Sequence, residues 1–224
     1  MRVIPAGFEI TEMPTREEAL KKIEKVARTC YKSENCIKEG SDIRLVKSLI
    51  DRGHEAMLEH VSFTIKFICD RGVSHELVRH RMASYAQEST RYCNYSKDKF
   101  GKELTFIKPC FWENERNIKD DEMRTTLLCS NKYEIWLKSM YLVEMAYMTL
   151  LKYGATPEQA RSILPNSVKT ELVMTMNLRE WRHFLKLRTA PAAHPQMREL
   201  TIPLLRYVKY RLPEFFNDIK EEMK

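Results

Sequence analysis

The chain has 224 residues, with 38 Lys and Arg against 31 Asp and Glu, a formal charge of +7 and a pI of about 9.0. Its 43% hydrophobic and 10% aromatic content can bury a sizeable core without disulfide help, which excludes a disordered chain. The six glycines stand alone at positions 7, 40, 53, 72, 101 and 154, so neither G-x-G-x-x-G nor G-x-x-x-x-G-K-[ST] can be written, and any phosphate must be held without a glycine-rich cradle.

The opening Met-Arg-Val-Ile-Pro-Ala-Gly is too short and too quickly polar for a signal peptide, and charge interrupts every long apolar stretch, as Lys138 and Glu144 do within 135 to 151. A cytoplasmic protein is expected. Thr15 and Glu18 form a capping box for a helix over 15 to 31, whose apolar residues Leu20, Ile23, Val26, Ala27 and Cys30 recur at helical spacing. Asp42 caps a second helix, with Ile43, Val46, Leu49 and Ile50 on one face and Gly53 as its stop. Residues 61 to 69 alternate Val61, Phe63, Ile65 and Phe67 against Ser62, Thr64 and Lys66, the clearest strand in the chain.

A helix is expected from Ser74 to about Met82, followed by an aperiodic polar loop through Tyr95. A long helix over 131 to 153, carrying Ile135, Leu137, Met140, Leu142, Val143, Ala146, Tyr147 and Leu150 and ended by Gly154, reads as core scaffold. Thr156 and Pro157 open a short helix that Pro165 ends. Residues 167 to 176 read as a second strand, and Asn177 with Glu180 as a capping box for a helix to about Thr189. A last helical region runs from about Pro195 with a kink at Pro203. There is no repeat and no linker. The expected fold class is α+β, a single domain over 1–224 with helices packed on a small antiparallel sheet.

The six cysteines, at 30, 36, 69, 93, 110 and 129, contain no C-x-x-C pair and read as reduced, mostly buried thiols. The segment His54-Glu55-Ala56-Met57-Leu58-Glu59-His60 lacks both H-E-x-x-H and H-x-x-E-H spacing, so no metal site is expected there. Ser89 is flanked by Gln87 and Arg91 where a nucleophile elbow needs glycines. Cys110 is followed by Phe111 and reads as a packed thiol. The densest polar chemistry lies in Arg79-His80-Arg81-Met82-Ala83-Ser84-Tyr85-Ala86-Gln87-Glu88-Ser89-Thr90-Arg91, where three guanidiniums and an imidazole precede a string of hydroxyls and amides. Such a set suits a phosphate-plus-base ligand, although composition alone reads it as a solvated basic face.

Arg79-His80-Arg81, seven residues, then Ser89 matches the RHR-x7-S signature of the flavin-dependent thymidylate synthases. Three further blocks follow in family order over roughly residues 40 to 205. Gly53-His54-Glu55 with Glu59-His60 resembles the family's histidine-containing turn. Ala160-Arg161-Ser162-Ile163-Leu164-Pro165 resembles its nucleotide-binding helix end, and Asn177 to Arg188 resembles its catalytic helix.

The resemblance implies reductive methylation of dUMP to dTMP, with 5,10-methylenetetrahydrofolate as carbon donor, NADPH reducing FAD, the flavin supplying hydride and no covalent enzyme nucleophile. It implies that Glu76, Leu77, Val78 and Arg79, with Gln87, Glu88, Ser89, Thr90, Arg91 and Arg161, hold the deoxyuridylate. Arg79, His80, Arg81, Asn177, Leu178, Arg179 and His183 are implied to hold FAD, with Gln87 between the two ligands and any contact at Ala56 made by its backbone. Arg188 takes the catalytic place, where a permanent cation beside the ring stabilises charge developing on the pyrimidine. His54 is implied to orient the folate and flavin side. Relatives are homotetramers with shared active sites, which implies self-association. Position 76 is Glu where relatives often have Gln, position 87 is Gln where some have Glu, and position 56 is Ala where a small hydroxyl residue is common. The spacing from Arg188 to His194 departs from the family by two residues, so no role is carried onto His194.

Two other readings compete. The +7 charge and the interleaving of Tyr85, Arg91, Tyr92 and Tyr95 would suit a nucleic-acid-binding module, and the flavin side alone would suit an oxidoreductase of other specificity. Under the family reading neither nucleic acid nor membrane is a partner.

Overall fold

A computed structural model describes residues 1–112 and 131–221, so Cys129 lies outside the described residues. In chain order the elements are strands β1 (Arg2–Ile4) and β2 (Gly7–Glu12), helices α1 (Arg16–Tyr31) and α2 (Ser41–Asp51), strand β3 (Ser62–Asp70), helix α3 (Arg71–Leu77) and strands β4 (Ser84–Gln87) and β5 (Thr105–Ile107). Then come helices α4 (Lys132–Lys152) and α5 (Pro157–Ala160), strand β6 (Lys169–Asn177), and helices α6 (Leu178–Arg188), α7 (Pro195–Arg211) and α8 (Pro213–Phe216). The Thr15–Glu18 capping box is present, with Thr15 Oγ1 accepting the Glu18 N–H and Glu18 accepting the Thr15 N–H at 2.8 Å.

Several elements differ from expectation. Helix α2 starts one residue before Asp42 with Gly40 as N-cap, in the left-handed region at φ 69; Asp42 instead sits in the first turn, where it accepts the Ile43 N–H at 2.8 Å. Helix α3 stops at Leu77 rather than Met82, and residues 84–87 of the expected loop form a strand. Pro203 lies inside an uninterrupted α7. Asn177 accepts the Glu180 N–H at 2.9 Å, but the reciprocal half of a capping box is not made, because the Glu180 side chain turns toward His80.

The chain divides into two compact units, each assembled from three segments. Unit 1 comprises Met1–Ala6, Ile68–Glu76 and Gln87–Leu172; unit 2 comprises Gly7–Phe67, Leu77–Ala86 and Val173–Lys224. With both units interleaved in sequence, there is no connecting linker for composition to reveal.

In unit 1, β1 pairs with β5 in parallel, Arg2 opposite Thr105 and Ile4 opposite Ile107, while Phe106 bridges Val168 antiparallel. The sheet content is therefore not purely antiparallel. Helix α4 buries Tyr133, Trp136, Leu137, Met140 and Tyr147 in a core shared with Tyr95, Leu104 and Phe106. Those positions are three, four or seven apart, one stripe of an α-helix. Ile135, Leu142 and Leu150, expected in the core, lie off that stripe and are exposed, as is Met145.

In unit 2 the sheet order is β2-β3-β6-β4. The inward side chains of β3 and β6, among them Phe63, Ile65, Phe67, Met174 and Met176, are buried with Leu178, Trp181, Phe184 and Leu185 of α6. Phe63 and Trp181 stack at 4.6 Å between centroids, and the Trp181 indole N–H donates to the Phe63 carbonyl at 3.1 Å, so the largest ring of the core is both packed and hydrogen-bonded. On the other side of the β3–β6 pair, Thr64 and Thr175 hydroxyls meet at 2.9 Å. This anchoring fixes the start and azimuth of α6, the helix that carries the candidate site.

Of the five described cysteines, all free, only Cys69 is buried; Cys30 and Cys36 are exposed and Cys93 and Cys110 half-buried. The expectation of mostly buried thiols is thus corrected.

Candidate active site

Unit 2 carries the imidazoles and Arg188. Helix α3 ends at Leu77, and the chain turns so that the His80 N–H donates to the Leu77 carbonyl at 3.1 Å. The Tyr85 hydroxyl lies 2.7 Å from both the Leu77 and the His80 carbonyl, which pins the turn from β4, and burial pushes that phenol up to about 12. His80 is thereby driven inward while Val78, Arg79, Arg81 and Met82 are exposed. Its ring packs edge-on against Phe184 at 4.8 Å. The Arg188 Nε–H donates to His80 Nε2 at 3.0 Å, and Glu180 Oε1 lies 3.6 Å from Nδ1. Burial, then the Arg188 and His183 charges, push His80 down to about 4, so the imidazole is neutral at pH 7. Burial also raises the Glu180 carboxyl above its ordinary range, partly offset by His183 and Arg179.

Asn177, Arg179, Glu180 and His183 of α6 line a groove of 410 Å³ with Glu55, Glu59 and Met82. Arg179 is exposed and pairs with Glu59 at 2.6 Å; His183 is exposed. Leu178 is wholly buried and its N–H donates to the Val61 carbonyl at 2.8 Å. His54 is exposed at the N-cap of a 3-10 helix over Glu55–His60, and Ala56 is exposed within that helix. The Arg179 guanidinium and the Asn177 amide offer donors in a groove that three carboxylates, Glu55, Glu59 and Glu180, also line. Among the described residues, His80, Glu180 and His183 have potential metal-ligand atoms within 4.8 Å of one another. The Arg188 guanidinium on His80 sets a positive charge beside that trio, which opposes a cation.

Of the residues assigned to the nucleotide, unit 1 carries Glu76, Gln87, Glu88, Ser89, Thr90, Arg91 and Arg161, and unit 2 carries Leu77, Val78 and Arg79. The Gln87 amide donates to Ser74 Oγ at 2.9 Å and Thr170 Oγ1 at 3.2 Å. Glu88 accepts the Tyr95 hydroxyl at 2.9 Å and lies 3.0 Å from Lys169, which also reaches Glu171 at 2.7 Å; the Glu88 N–H donates to the Glu171 carbonyl. Burial works against the Lys169 ammonium, but its bonds to Glu171 and Glu88 prevail and raise it. The network anchors the residue before Ser89. Ser89 Oγ accepts the Arg91 N–H at 3.3 Å, Thr90 is buried, and Arg91 pairs with Glu158 at 3.0 Å. Arg161 is exposed in a 3-10 turn after α5, and Glu76 is half-buried near the end of α3. A cavity of 260 Å³ beside the network is lined by Arg2, Lys99 and Lys169 as well as Glu88 and Glu103.

Three features have no counterpart in the sequence reading: the approach of Glu180, read there as a cap, to His80; the bonds of Glu88, read there as a nucleotide contact, to Lys169 and Tyr95; and Arg182. Glu180 and the Lys169–Glu88–Tyr95 network are visible only once strands and helices pair. Arg182, fully buried, donates to Glu55 at 3.0 Å, to Asp218 at 2.7 Å and to the Phe215 carbonyl, tying α6 to the segment that holds His54 and Ala56. A signal for it does exist: Arg182 lies four residues after Leu178 and three before Leu185, on the apolar stripe of α6.

The family described as Thymidylate synthase complementing protein matches residues 11–214, which draw on both units. A flavin-dependent thymidylate synthase of Geobacter sulfurreducens is 34% identical over 199 residues, 86% of this chain and 78% of that protein. The chain belongs to this family. A second member, from Pyrococcus abyssi, is 38% identical over 164 residues, 73% of this chain and 61% of that protein; the chain thus spans about three fifths of that relative's length. The crystal structure of Thymidylate Synthase X from Helicobacter pylori with FAD and dUMP shares the fold, with a TM-score of 0.73 over 97% of this chain and 100% of that one at 21% identity. Within the thymidylate synthase family, the His80–Arg188 pair joins the RHR block to the end of the block that resembles the catalytic helix, two motifs 108 residues apart in this chain.

Proposed function

We propose that the protein is a flavin-dependent thymidylate synthase that converts dUMP to dTMP, with 5,10-methylenetetrahydrofolate as carbon donor and NADPH as reductant. Bound FAD supplies the hydride. The observation that carries the reading is Arg188: a permanent cation whose Nε–H is engaged by a buried neutral imidazole, at the family's activating position. Such a group stabilises charge on the pyrimidine by fixed electrostatics, with no proton to give up. Ser89, Arg91 and Arg161, with Glu76, Leu77, Val78, Arg79, Gln87, Glu88 and Thr90, hold the nucleotide. Asn177, Arg179 and His183 at the α6 groove, with the exposed Arg79 and Arg81, hold FAD, for which their donors fit the phosphates and the polar ring edge. His54 orients the folate side.

No covalent nucleophile takes part. Burial pushes the Cys69 thiol up to about 12, which leaves it inert, and the Ser89 hydroxyl is tied into a local turn rather than to a base. The chain acts as a cytoplasmic homotetramer, a reading supported by the exposed Ile135, Leu142 and Met145 on α4, an apolar face suited to a second copy. The nucleic-acid alternative loses its stacking surface, because Tyr95 is buried and the Tyr85 hydroxyl pins the turn before β4; of the interleaved tyrosines only Tyr92 is strongly exposed. No helix among the described residues is long and apolar enough to cross a membrane.

The test is direct. The purified protein should carry a flavin band that NADPH bleaches, form dTMP from dUMP only when methylenetetrahydrofolate is present, and support growth of a thymidine-requiring host. A protein that neither binds added FAD nor forms dTMP would overturn the proposal; bleaching without dTMP would favour an oxidoreductase of other specificity.

A further inference from the structure

We infer that His80 is a positioning residue for Arg188: its Nε2 accepts the Arg188 Nε–H and so aims the guanidinium. The inference rests on the reading that Arg188 works at the pyrimidine ring, and it adds to the cofactor-holding role that family resemblance gives His80.

An arginine side chain carries about 2 kcal/mol of rotamer entropy, and a guanidinium acts electrostatically only where it is held. Here the backbone at both ends of the contact is fixed. The His80 N–H is bonded to Leu77 and its carbonyl lies 2.7 Å from the Tyr85 hydroxyl. The Thr201 hydroxyl lies 2.9 Å from the Arg188 carbonyl and 3.0 Å from that of Met197. Between them the imidazole is walled by Phe184 and almost wholly removed from solvent. Because the guanidinium is planar, a bond at Nε sets the direction in which both η nitrogens point.

The contact needs one particular imidazole. Nε2 can accept only if the ring is neutral and its proton sits on Nδ1. Glu180 Oε1, 3.6 Å from Nδ1, is beyond a good hydrogen bond yet favours a proton on that side. Burial and the adjacent Arg188 charge keep the ring neutral at pH 7. Sequence, turn, burial and tautomer thus converge on a lone pair aimed at Arg188.

The experiment compares His80→Leu, His80→Gln and Arg188→Ala in the FAD-loaded enzyme. Leu removes the acceptor, and Gln restores an amide oxygen near the place of Nε2. Displacing a reacting group by about 1 Å costs roughly 100-fold, so His80→Leu should lose roughly that much in kcat while KM for dUMP and the flavin spectrum stay near wild type, and His80→Gln should recover most of the loss. In the wild-type enzyme, nitrogen NMR of histidine-labelled protein should show His80 Nε2 without a proton; this reading does not depend on a variant that folds. A protonated Nε2 overturns the inference, as does equal impairment of the Leu and Gln variants, which would mark a packing role only. Loss in Arg188→Ala with full turnover in His80→Leu overturns the inference alone. Full turnover in Arg188→Ala overturns the role of Arg188 and the inference with it.

Discussion

Acidification from pH 7 to 4.5 should destabilise the wild-type protein more than it destabilises His80→Gln. In the native state His80 takes up a proton only near pH 4, held down by burial and by the charges of Arg188 and His183, with Glu180 too distant to reverse the trend; its ordinary value is 6.5. Between those two values the unfolded chain carries a proton that the native chain lacks. Stability from this group is therefore fully present above pH 6.5 and declines as the pH falls toward 4. Integrating the difference in bound protons from pH 7 to 4.5 gives about 2 kcal/mol, a large share of a typical folding free energy. The surface and ion-paired carboxylates titrate in the same range, but they are common to both proteins and cancel in the comparison. Urea unfolding at a series of pH values, with the slope checked for constancy, reads the difference. Curves for the two proteins that run parallel from pH 7 to 4.5 would refute the reasoning, since a histidine that protonates normally in the native state contributes no such slope.

Three other outcomes follow from the structure. Trp181→Ala removes a stacked, hydrogen-bonded ring from the core of unit 2 and should cost about 3–5 kcal/mol, seen as a lower Tm and a lower urea midpoint. Arg182→Ala both leaves Glu55 and Asp218 without their buried partner and empties its volume and should cost about 3–5 kcal/mol, whereas Arg182→Met, which also removes the charge but fills the volume, should cost clearly less; equal losses would mean that the lost ion pairs alone set the cost. Ser89→Ala should raise KM for dUMP by about tenfold, the worth of one hydrogen bond to a charged group, with kcat nearly unchanged in steady-state assays; complete inactivity with unchanged dUMP affinity would return Ser89 to consideration as a nucleophile.

What could be read from the sequence was whatever is decided locally. Thr15–Glu18 caps its helix through contacts three residues apart, Thr156 and Pro157 open theirs, and β3 shows its alternation over nine residues. Strand β4 is four residues of Ser-Tyr-Ala-Gln, too short and too polar to show a period, and becomes a strand only because β6 lies beside it. The two-part organisation was hidden for the same reason, since it depends on segments far apart in the chain. At the candidate site the residue types were legible from the family blocks, but their partners were not. Arg182 finds Glu55 127 residues away, and His80 finds Arg188 108 residues away. The division of roles between an exposed Arg79 and a buried His80 rests on the early end of α3, which no capping residue announces.

The interleaving of the two units constrains how the chain is made. The polypeptide passes from one unit to the other five times, so no continuous fragment contains either one, and neither can be moved between genes as a cassette. β6 lies between β3 and β4 in the sheet although it follows both in the chain. Until residues 173–177 leave the ribosome, β3 has an open edge and Phe63, Phe67 and Ile65 have neither β6 nor α6 to cover them. Folding of that sheet is deferred until β6 has been made, and the nascent chain up to that point is where aggregation, or protection by a chaperone, has its target.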